Sequence, residues 1–112
     1  MKNLTLALSM LFSSIVTASD NTQTQVNYAG VRGDGVVFIN LNKTINETNC
    51  PQTSVFLGPD ISDAIKNQVL SVAMTAYVAQ KNVYVKTDGC YLGYPTFSAT
   101  SKDSWIHIFD PS

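Results

Sequence analysis

The stretch from Asp60 to Asn82, DISDAIKNQVLSVAMTAYVAQKN, constrains this chain more than any other. Ile61, Ile65, Val69, Val72, Ala76 and Ala79 recur at three-and-four spacing, and at helical pitch all six fall within about 80°. That stripe is a core face. Leu70, Met74, Tyr77 and Val78 form a second apolar set on roughly the opposite side, where a surface helix should be polar. One small sheet does not cover both faces, so the second set is expected to meet other copies of the chain. The alternative is that the long loop from Tyr91 to Lys102 wraps it.

The start of the chain reads as an export signal. Lys2 supplies the positive start, Leu4 to Val16 a short apolar run interrupted by Ser9, Ser13 and Ser14, and Val16-Thr17-Ala18 a small-residue cleavage pattern. Cleavage is expected after Ala18. A membrane anchor needs about 18 or more uninterrupted apolar residues, which this run lacks. The mature chain then carries six of the seven basic residues and all eight acidic ones, a net charge of about −2 with no basic run. Nucleic acid and membrane insertion are therefore not expected, and the location is periplasmic or extracellular.

Residues 19–25, SDNTQTQ, are polar and aperiodic and are expected to form a flexible leader. Residues 26–112 leave room for one small domain, and small domains commonly need a staple. Cys50 and Cys90 are the two cysteines, and export places them in an oxidising space. A disulfide between them is the expected state; two free thiols or half a metal site are the alternatives. One histidine and the absence of C-x-x-C spacing argue against the metal.

Further strands follow from alternation and turn signals. Val26 and Tyr28 begin one, which Gly30 and the Gly33-Asp34-Gly35 turn interrupt; Val36 to Leu41 follows, apolar on both faces, and Asn42 to Asn49 is polar. Ser54 to Leu57 is a third, and Gly58-Pro59 ends it before Asp60, which is placed to cap the helix. Val83 to Thr87 puts Val83 and Val85 inward, and Ser104 to Phe109 is the last strand. The order is strand, strand, strand, helix, strand, strand. The fold class is α+β: a small antiparallel Greek-key, OB-like barrel or curled sheet of five to six strands packed on one central helix.

Catalytic chemistry has little to work with. His107 stands between Ile106 and Ile108 in a strand, where a packed imidazole is commoner than a general base. Asp34 and Asp88 lie in Asp-Gly turns that explain them, and no serine sits in a nucleophile elbow. No metal-ligand spacing occurs and no cofactor is implied. The chain is therefore not read as an enzyme. Binding is better supplied: Tyr91 and Tyr94 lie on a loop that a Cys50–Cys90 bridge would hold, and Trp105 and Arg32 are candidates for the same surface. Aromatic rings stack on apolar faces of sugars while their hydroxyls bond at the edge. The same rings would serve equally as lids over the barrel ends.

The run VLSVAMTAYVAQKNVYVKTDGC, Val69 to Cys90, has a helix passing directly into a V-x-V strand, with one cysteine before the helix and one after the strand. In this it resembles short exported bacterial proteins similar to the receptor-binding B subunits of subtilase cytotoxin and typhoid toxin. The resemblance covers roughly Val36 to Ile108, although the loops here are shorter. It implies an OB-like barrel, a ring of five copies lined by the helices, a catalytic A subunit as partner, and recognition of host sialylated glycans or glycoproteins without catalysis. The helical set Leu70, Met74, Tyr77 and Val78 is where such a ring would close. The competing expectation is a monomeric periplasmic or secreted protein-binding module, a hydrolase inhibitor or an envelope accessory factor.

Overall fold

A computed structural model describes residues 21–100 and 102–109. The expected signal segment, residues 1–18, lies outside the described residues, as does the start of the expected leader. The elements are β1 (Thr22–Thr24), β2 (Val26–Val31), β3 (Val37–Ile45), β4 (Gln52–Leu57), α1 (Asp63–Ala79), β5 (Asn82–Lys86), β6 (Cys90–Tyr91), β7 (Tyr94–Pro95) and β8 (Trp105–Phe109). Among the described residues they form an α+β fold of one helix and three antiparallel sheets. The first sheet runs β1-β5-β8, the second β2-β3-β4, and β6 and β7 make a small hairpin.

Alternation builds the core. In β3, Val37, Ile39 and Leu41 point inward, and Val55 and Leu57 of β4 and Val83 and Val85 of β5 meet them. Ile39, Leu41, Ile45 and Leu57 are all at most 2% exposed, and burying each such side chain contributes about 1.5–3 kcal/mol. The expected bridge is present: Cys50 and Cys90 form a disulfide with Cα atoms 6.1 Å apart.

Outside the helix, four details differ from the sequence expectation. The leader is ordered from Thr22: β1 pairs with β5, and Thr24 is buried, its hydroxyl donating to Asn42 Oδ1 at 2.7 Å. Threonine suits a strand when a neighbour edge is available, and β5 supplies one that hydropathy does not reveal. Strand β3 runs past its expected end at Leu41 to Ile45, fully buried, through a register shift after Asn40 and into the polar stretch 42–49. Glu47 in that stretch is also buried, accepting a hydrogen bond from the Thr87 hydroxyl. Tyr91 to Lys102 is not a plain loop, since Tyr91 and Tyr94 pair across the β6–β7 hairpin.

The helix is shorter and turned. Ser62, not Asp60, is the N-cap: its hydroxyl accepts from Ile65 N at 3.2 Å, while Asp60 is spent in a turn closed by Ile61 N and Gly58 O. Gln80, in the left-handed conformation at φ 57°, ends it two residues before Asn82. The buried residues are Ile61, Lys66, Val69, Ala73 and Ala76, a stripe rotated by about 50° from the expected one at 100° per residue. Ile65 and Ala79 are exposed and Val72 is half-buried, because the first sheet stops at β8 and does not reach that flank. The buried Lys66 extends to the turn before β3, donating from Nζ to Gly35 O at 3.2 Å. No helix among the described residues is long and apolar enough to cross a membrane.

Candidate ligand-binding site

The outward residues of the second sheet carry the site. Since Val37 and Ile39 face the core, Phe38 and Asn40 face out, and Phe38 stands directly opposite Phe56 of β4. Four rings follow one another across the sheet and onto the hairpin. Tyr28 meets Phe38 edge-on at 6.3 Å, Phe38 lies 6.3 Å from Phe56, and Phe56 stacks on Tyr94 at 4.0 Å and 3°. Gly30, opposite Phe38 in β2, makes room for the row: a Cβ there would come within 3.0 Å of the Phe38 ring.

The row is fixed at its Phe56–Tyr94 end. The Arg32 guanidinium lies 5.9 Å from the Phe56 ring centre and is held in a two-pronged ion pair by Asp34. That hydrogen bond raises Arg32 further above its ordinary value and holds Asp34 below the usual carboxylate range, against the opposing effect of desolvation in each case. The pair is open to solvent, with the two side chains 41% and 53% exposed. At the same end the hairpin turns through Leu92 and Gly93, both at positive φ, the geometry of a tight two-residue turn. Leu92 is an unusual residue for that conformation, and it is 58% exposed at the tip. The disulfide anchors the hairpin at Cys90, and the Tyr91 ring lies so close over Gly58 that a Cβ there would sit 2.8 Å from it.

Polar groups flank the rings. Asn40 donates to Ser54 Oγ at 2.8 Å and to Thr53 Oγ1 at 3.3 Å, and it accepts from Asn27 Nδ2 at 2.9 Å. The surface therefore combines flat apolar rings with amide, hydroxyl and ion-paired groups at its margin.

Of the four residues expected to share a binding surface, Arg32, Tyr91 and Tyr94 gather around Phe56 and Gly58. Trp105 stands in the other sheet, on β8, with Lys86 Nζ 5.2 Å from its ring. The sequence reading missed Tyr28, Phe38, Phe56 and Asn40, because Val36 to Leu41 looked covered on both sides. The register of the β3–β4 pair would have revealed them: Phe38 and Phe56 have the outward parity of their strands.

Among the residues expected at a copy-to-copy contact, Met74, Tyr77 and Val78 are 40%, 49% and 75% exposed, while Leu70 is half-buried against the core. The long loop does not wrap this face. Its Phe97 is buried on the other flank, beside Ile65, Val69 and Val72. A cavity of about 590 Å³ opens at the end of the exposed helix face, lined by Tyr77, Val78, Gln80, Lys81, Gln25 and Val26 among others. Compared with known proteins, the chain matches no family model, no curated protein and no solved structure.

Proposed function

We propose that this chain is an exported, non-catalytic glycan-binding protein with an OB-like barrel, which engages sugars along the row Tyr28, Phe38, Phe56 and Tyr94. Strand connectivity supports the barrel. β1 and β2 are one run broken only at Gln25, so the two sheets join in the order β8-β5-β1/β2-β3-β4 around α1. Such an order is the one expected of a partly open, five-stranded Greek-key barrel, and it supports that reading. In that architecture the face of the second and third strands, with the first and fourth connecting loops, holds oligosaccharides or oligonucleotides.

The observation that carries the reading is the coincidence of the ring row with that place. In a barrel of that kind Phe38 and Phe56 would fall on the second and third strands, Arg32 and Asp34 on the first loop, and Tyr91 and Tyr94 on the fourth. Net charge decides between the two ligand classes. A face whose cation is already paired with Asp34, on a chain of net negative charge, suits a sugar better than a polyanion. Assembly of several copies through Met74, Tyr77 and Val78 would give the multivalency on which weak glycan binding depends. A role as the receptor-binding part of a larger assembly with a catalytic partner follows from the same reading.

The test is a glycan array carrying neutral and sialylated glycans, probed with the mature oxidised protein and with Phe56→Ala and Tyr94→Ala. Binding that both substitutions abolish, with the far-ultraviolet spectrum unchanged, is the expected result. An array without binding on either class removes the reading.

A further inference from the structure

The first sheet ends at β8, whose residues make no backbone hydrogen bond to a described element other than β5. Natural sheets guard such edges with lysine, proline, a bulge or a covering loop. Strand β8, Trp-Ile-His-Ile-Phe, has no acidic, lysine, arginine or proline residue and pairs with β5 without a bulge.

Its core side is unfinished. Val83 and Val85 of β5 are 0% and 1% exposed, yet Ile108, opposite Val83 on the same face, is 38% exposed. Two adjoining cavities of about 330 and 270 Å³ share Ile65, Phe97 and Ser104; the smaller lies between α1 and the start of β8 at Trp105 and Ile106, and the larger lies beside the approach to α1 at Asp60 to Ser62. Ile65, expected in the core, is 45% exposed there. The sheet is thus one strand short of covering its helix.

We infer that the missing strand is β8 of a second copy, paired antiparallel across a two-fold axis at His107 to make one six-stranded sheet. The sequence of the strand selects this occupant over a foreign one. It reads aromatic, Ile, His, Ile, aromatic in either direction. Antiparallel self-pairing centred on His107 therefore sets Ile106 against the partner's Ile108 on the core side. On the outer side it sets Trp105 against the partner's Phe109. Every apolar residue meets an apolar one, which is the self-complementarity a two-fold contact requires, and aromatic cross-strand pairs add to it. The partner's isoleucines also extend over the groove beside Ile65 and Phe97. This contact is separate from the exposed helix face and does not depend on glycan binding.

The experiment isolates this edge by working with mature, oxidised Met74→Glu, Val78→Lys protein, in which the helix face is charged. Light scattering is expected to give the mass of two chains, falling to one on adding Ile108→Lys. Introduced into the same background, His107→Cys is expected to yield a disulfide between copies. Directly opposed strand residues have Cα atoms about 4.5–5.5 Å apart, within disulfide reach. The control Lys86→Cys, one strand inward, is expected to stay uncrosslinked. A single-chain mass with β8 intact overturns the proposal, as does a two-chain mass that Ile108→Lys leaves unchanged. If Ile108→Lys does not fold, the absence of a cross-link at His107→Cys overturns it.

Discussion

The two sheets carry outward aromatic rows of similar composition that end in different ways. On the second sheet, Tyr28, Phe38, Phe56 and Tyr94 run from a strand to a hairpin, bounded by the Arg32–Asp34 turn and tied down by the disulfide. On the first, Tyr84 lies 4.8 Å from Phe109 and 5.4 Å from His107, Lys86 lies over Trp105, and the row stops at β8, beyond which no described strand pairs. Rings alone do not define a ligand site. A row anchored by loops at one end presents a platform with polar groups at its margin, whereas a row that stops at an unpaired strand edge calls for another strand.

The largest difference between the two rows should appear on removing the staple. Replacing both cysteines, Cys50→Ser with Cys90→Ser, is expected to cost about 4 kcal/mol from the loop of about 41 residues that the bridge closes. The loss should be uneven. Hydrogen exchange is expected to quicken most at Tyr91 and Tyr94, where the hairpin depends on Cys90, and least at Val83 and Val85 in the first sheet. Equal loss of protection in both sheets would mean that the disulfide stabilises the whole domain and does not set one row apart.

A smaller effect is expected at Gly58. Its backbone φ is not in the left-handed region, so the objection to a side chain there is space: an added methyl group would meet the Tyr91 ring at 2.8 Å. Gly58→Ala should lift Tyr91 and cost about 1–3 kcal/mol by overpacking, measured by urea denaturation. Because a single contact is responsible, adding Tyr91→Ala should cost much less in the Gly58→Ala protein than in the original. Additive costs would show that Tyr91 does not close this end of the row.

How much of this was legible in the sequence depends on which interaction fixes each part. The helix, the Val83/Val85 strand and the cysteine pair follow from local periodicity, turn residues and redox context, and all three are present. What periodicity could not give was set across the chain. Thr22 to Thr24 form a strand because β5 offers them an edge, and Ile65 and Val72 leave the core because the sheet stops at β8. Arg32, Tyr91 and Tyr94 were legible as residues near a turn and a pinned loop. That Phe38 and Phe56 join them, and that Trp105 does not, follows from strand register, which no single strand's sequence encodes.

The smallest effect separates the margins of the two rows by pH. Asp34 is held below its ordinary value of 3.8 by its bond to Arg32, so its contribution to stability is complete above that value and is lost as pH falls through the lower folded one. Arg32 is raised, so its contribution would be lost only in strong alkali. The acid limb is therefore the one to measure. Asp34→Asn should lower the melting midpoint slightly at neutral pH and bring the two proteins together as pH drops below the carboxylate range. Both side chains are open to solvent, so the difference should shrink in high salt. Lys86, over Trp105 on the other row, should show no counterpart on this limb: Lys86→Gln is expected to leave the shape of the acid transition unchanged, since its partner is an indole ring and not a carboxylate. A difference at Asp34 that persists undiminished in high salt would mean the pair is shielded from solvent, and that this end of the row is closed more tightly than its exposure indicates.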